Sequence, residues 1–88
     1  MNINYATLED DLVSGVFRQQ LESELEEGFR KMQQTGERLP LASYYAAQIA
    51  EIVSNGAAAP LNPEIAFAVY QEILSAVETA RATVLGEE

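Results

Sequence analysis

The sequence predicts an all-α protein: a three-helix bundle or helical hairpin with a long first helix, in a single domain over residues 1–88. Three observations carry that reading. Apolar residues recur at intervals of three and four, with no strand-like alternation among them. Residues that start and stop helices stand at the ends of those runs. A chain of 88 residues that is 48% hydrophobic and 22% charged suits one compact domain rather than a disordered acidic tail.

The first helix is expected over residues 8–34, with Leu8, Leu12, Val13, Val16, Phe17, Leu21, Leu25, Phe29 and Met32 at helical spacing. Thr7 followed by Asp10 resembles a capping box, and Glu9, Asp10 and Asp11 put negative charge at the positive end of the helix dipole. Gly36 is the expected stop. Such a helix would be roughly 40 Å long at 1.5 Å per residue. Ser14 and Gly15 mark the expected kink or break, and Gly28 reads as room for another helix to approach. The run through Phe17, Leu21, Leu25, Phe29 and Met32 also offers a surface for pairing with a second copy, so a homodimer is expected.

The second helix is expected over residues 40–54. Pro40 stands in its first turn, and Asn55-Gly56 ends it through a left-handed conformation. Leu41, Tyr45, Ile49, Ile52 and Val53 make its apolar stripe. Ala42, Ala46 and Ala50 make a smooth ridge, read as an alanine seam inside the monomer. The third helix, over residues 63–85, has the clearest start: Asn62 as N-cap, Pro63 at the first position and Glu64 at the second. Ile65, Val69, Tyr70, Ile73, Val77, Ala80 and Val84 follow at helical spacing, Gly86 closes the helix, and Glu87 and Glu88 are read as a frayed end. Connections of five to seven residues favour antiparallel neighbours.

Composition excludes several functions. The chain has 14 acidic against 5 basic residues, a net charge of −9, and no Cys, His or Trp. Without Cys or His it has no thiolate or imidazole ligand, no disulfide framework and no Ser-His or Cys-His pair. Its acidity disfavours direct nucleic-acid binding, which needs clustered Lys and Arg. The N-terminal residues show neither the basic nor the apolar region of a signal peptide, and no stretch reaches the ~20 apolar residues of a membrane span. A cytoplasmic location follows as the expectation. Neither catalytic, cofactor-binding nor metal-ligating residues are assigned, and the chain is not expected to be an enzyme.

The candidate site residues are of two kinds. Glu22, Glu24, Glu26 and Glu27 form the densest run of charge. Glu26–Arg30, Glu27–Lys31 and Arg18–Glu22 have i, i+4 spacing, so an ordinary solvated face accounts for most of the run, and Glu24 has no local partner. Read functionally, these carboxylates would dock a basic partner. The second kind is surplus apolar area. Tyr44 and Tyr45 point about 100° apart on one helix, so both cannot sit centrally. Phe67 and Leu74 flank the main stripe of the third helix. Some of these side chains are expected to form a protein–protein patch.

The sequence thus points to a small acidic protein-binding regulator, an adaptor, inhibitor or chaperone-like protein of bacterial or phage type. It would act sterically through an apolar helical patch rimmed by carboxylates. Two other readings remain open: a nucleic-acid mimic that inhibits a basic DNA- or RNA-binding protein, and a structural oligomer subunit.

Overall fold

A computed structural model describes residues 3–86. Every regular element among them is helical: α1 (Leu8–Ser14), α2 (Val16–Gln34), α3 (Ala42–Gly56) and α4 (Pro63–Gly86), preceded by a 3-10 turn over Tyr5–Thr7. Together they form an elongated bundle of 40 × 22 × 18 Å.

The expected first helix is two helices. Gly15 has φ +85°, in the left-handed region, and ends α1 there. A residue with a Cβ resists that conformation, which costs roughly 1–2 kcal/mol. The short α1 folds back so that Leu8 is buried and Leu12 half-buried. Its start also differs from the expected capping box. The Thr7 side chain caps no backbone N–H; its hydroxyl donates to Asp11 Oδ2 at 3.0 Å. The capping side chain lies one turn earlier, where Asn4 Oδ1 accepts from the Ala6 N–H at 3.1 Å.

α2 ends as expected at Gly36, with φ +77°. The Gly36 N–H bonds Gln33 O at 3.1 Å and the Glu37 N–H bonds Met32 O at 2.9 Å. This is the paired pattern of a Schellman turn, which satisfies carbonyls left open at the helix end. α3 starts two residues later than expected. Buried Leu39 draws the chain inward, and the Pro40 carbonyl accepts from Arg81 Nε at 3.1 Å, which holds Pro40 outside the helix. α3 also ends differently. Gly56 belongs to the helix with no positive φ, and Ala57 leaves in extended conformation. Gly56 is small for a packing reason: a Cβ there would lie 2.6 Å from the Tyr5 hydroxyl. That hydroxyl donates to Val53 O at 2.6 Å. Asn62 caps α4 as expected, its Oδ1 accepting from the Glu64 N–H at 2.8 Å. Glu87 and Glu88 lie outside the described residues.

α4 is the central helix. Val69, Ile73, Ala76, Val77, Ala80 and Val84 are all buried along it, and it packs against both α2 and α3. α2 supplies Phe17, Leu21, Leu25 and Phe29, so the run expected to pair with a second copy is spent inside the chain. α3 supplies Ala46, Ile49 and Val53, and its alanine ridge faces the core as read. α2 and α3 flank α4 without their Cα atoms approaching within 8 Å. Side chains bridge part of the gap: the Phe29 and Tyr45 rings meet edge to face at 5.6 Å.

Candidate functional site

Because α4 wedges α2 and α3 apart, a groove opens between them. Leu21, Glu24 and Leu25 of α2 line it on one side, and Tyr45, Ile49 and Ile52 of α3 on the other, around about 320 Å³. The walls follow from two local patterns. Leu21 and Leu25 are one turn apart on α2. Tyr45, Ile49 and Ile52 stand at i, i+4 and i+7 on α3, an apolar stripe that shares Ile49 with the core-facing side and carries outward to Ile52. Ile52 is 64% exposed although its stripe is apolar; Val13, Leu41 and Phe67, outside the groove, are more exposed still.

The groove continues along α2 towards the N-terminal segment. A second hollow of about 290 Å³ shares Leu21 and Glu24 with the first, and Val16, Phe17 and Asp11 also line it. Two carboxylates therefore edge a pair of adjoining hollows: the one against α3 is mainly apolar, and the one against the N-terminal segment is also lined by Asn4, Thr7 and Gln20. Asp11 takes the Thr7 hydroxyl bond, whereas Glu24 has no ion pair or hydrogen bond among the described residues. One turn beyond Glu24 and Leu25 lies Gly28. It is exposed, with nothing within 4 Å of where a Cβ would stand. The helix approach expected at Gly28 does not occur within this chain.

The acidic run of α2 does not act as one surface. Arg18 Nε meets Glu22 Oε1 at 2.9 Å, Arg30 meets Glu26 at 3.6 Å, and Lys31 meets Glu27 at 3.4 Å. The hydrogen bond to Glu22 raises the Arg18 pKa from its ordinary value. Three of the four acids are thus held in i, i+4 pairs on a solvated face, and only Glu24 lines the groove. Among the described residues no three acids converge as a metal site would require.

The apolar candidates separate as well. Tyr45 is half-buried against Phe29 and lines the groove. Leu74 is half-buried against the core. Tyr44 and Phe67 are 63% and 65% exposed and line neither hollow. Sequence reasoning did not single out Ile52, Ile49 or Leu21 as site residues. The i, i+4, i+7 stripe of Tyr45, Ile49 and Ile52 was the signal for them. It marks α3 as having an apolar arc wider than one neighbouring helix can cover.

Folding also redistributes charge. α3 and α4 run antiparallel, as the Arg81–Pro40 bond at one end requires, while the Tyr5–Val53 bond ties the N-terminal segment to the other. The half of the bundle formed by residues 3–24 and 49–74 holds eight acids and one base, a net −7. The half formed by residues 25–48 and 75–86 holds four acids and four bases, a net of zero. The groove runs from the acidic half towards the neutral one.

No family model matches the chain, and it matches no curated protein and no solved structure. Among the described residues no helix is long and apolar enough to cross a membrane.

Proposed function

We propose that this chain is a small acidic protein-binding regulator of the cytoplasm, an adaptor, inhibitor or chaperone-like protein, which works sterically through the α2–α3 groove. The observation that carries the reading is the hollow between α2 and α3, whose floor is the buried Leu21, Leu25 and Ile49, with 64%-exposed Ile52 on its wall and unpaired Glu24 on its rim. Apolar walls supply affinity by excluding water, and carboxylates speed and orient the encounter with a basic partner. Apart from Glu24 and the Tyr45 hydroxyl the groove is lined by aliphatic side chains, which suits binding.

The test compares immobilised wild-type protein with Ile52→Ser and Phe67→Ser in extract of the native host. Circular dichroism checks that all three remain folded. A partner retained by wild type and Phe67→Ser, and lost from Ile52→Ser, is the expected result. Equal retention by all three would place the contact outside the groove.

One observation favours a second reading, nucleic-acid mimicry: eight acids crowd one half of the bundle. That reading requires affinity for a basic DNA- or RNA-binding protein to fall steeply with salt and to be indifferent to Ile52→Ser. The groove reading requires the reverse emphasis.

A further inference from the structure

Resting on the protein-binding reading of the groove, we infer that its occupant is a short amphipathic helix of a basic partner, seated beside α2 and α3 as an added helix with its cationic side chains towards the α1 end. Shape is the first argument. Two helices held apart over a third leave the slot that a fourth helix fills in a bundle. Along α2 the two hollows together run from Val16 to Leu25, the first walled opposite by Ile3, Asn4, Thr7 and Asp11 and the second by α3, and the open position at Gly28 lies one turn beyond. That stretch is about 18 Å, the length of a helix of about twelve residues. Gly28 adds the close approach, since a helix crossing there meets backbone rather than a side chain. Among the described residues the fold has no strand, and so no sheet edge for an extended peptide to join.

Charge selects the partner. A second copy of this chain would bring a further −9. With the two-fold axis across the groove it would set its neutral half against the −7 half, and with the axis along the groove −7 against −7. Self-association therefore gains no attraction from the charges. A basic helix gains it, and most strongly at the end holding Asp11 and Glu24, where Arg18 is already committed to Glu22. The gradient along the groove gives the docked helix a direction.

The probe is a fluorescein-labelled fourteen-residue peptide, built with Leu and Ala on one face and Lys clustered at one end of the other. Binding to the full chain is followed by anisotropy, and the contact is mapped by amide chemical shifts on labelled protein. Saturable binding is expected, with shifts over residues 21–28 and 45–52. A scrambled peptide of the same composition should bind at least tenfold more weakly. Ile52→Ser and Gly28→Gln should each weaken binding about tenfold. Asp11→Asn with Glu24→Gln should do the same, and Glu78→Gln should leave it unchanged. Gly28→Gln sits in an ordinary helical position with open space around it, so loss of folding does not confound it. Equal binding of the scrambled peptide overturns the inference, because charge alone would then suffice. So does a dimer by light scattering that Ile52→Ser converts to monomer; the groove would then bind a second copy, and the protein-binding reading would stand without this occupant. Shifts centred on Phe67 instead of the groove would overturn both.

Discussion

The two ends of the bundle solve the same problem differently. At the neutral end the chain turns from α2 into α3 by local means: the Schellman turn at Gly36, buried Leu39, and the Arg81 bond to Pro40 O. The Phe29–Tyr45 ring pair also bridges α2 and α3. At the acidic end closure depends on residues far apart in the chain. Leu8 of the short α1 is buried, and the Tyr5 hydroxyl reaches Val53 O across 48 positions of sequence, over the space kept free by Gly56. The acidic end thus combines repelling carboxylates with an N-terminal strap held by few contacts. The neutral end combines balanced charge with the buried Phe29, Leu39, Val77 and Val84.

Three measurements sharpen this contrast. The largest effect is expected at the neutral end. Phe29 is 1% exposed, so Phe29→Ala should cost about 3–5 kcal/mol, read as a lower urea midpoint for the whole chain. A loss below about 1 kcal/mol would show that this end is not the stable centre. Tyr5→Phe tests the strap. It removes one hydrogen bond and should cost about 1 kcal/mol. Amide exchange should speed up over residues 5–14 and stay unchanged around Gly36; uniform acceleration would mean that the two ends unfold as one unit. The smallest effect is that of salt. Raising NaCl from about 0.05 to 0.5 M should stabilise the chain by a few tenths of a kcal/mol by screening the −7 half. Glu51→Gln should blunt the response and Glu78→Gln should not. Equal blunting by both would remove the charge contrast.

Much of the fold was legible from residue order. α4 was readable because Asn62, Pro63 and Glu64 satisfy or omit the N–H groups that a helix start leaves open, and because its stripe is long. Gly36 was readable because a left-handed residue closes a helix locally. Gly15 was readable as a break for the same reason, though whether the chain kinks or turns back there depends on where Leu8 can bury. Thr7 and Gly56 were misread. The Thr7 hydroxyl had a rival acceptor in Asp11, and Gly56 answers to a tyrosine 51 positions away, which no local pattern contains.

The site divides along the same line. Helical spacing alone paired Glu22, Glu26 and Glu27 with their cations and separated Tyr44 from Tyr45, since such relations span one or two turns. The opening of α2 from α3, and hence which apolar side chains stay uncovered, belongs to the way α4 packs between them. Charge shows the difference most plainly. Residues 1–44 and 45–88 carry −4 and −5, almost the same, yet the folded halves carry −7 and zero over the described residues. Helix periods, caps and net charge are properties of neighbours along the chain, and sequence determines them. The groove and the charge gradient along it arise only when antiparallel helices bring the first part of α2 beside the last part of α3, and tertiary packing alone decides that.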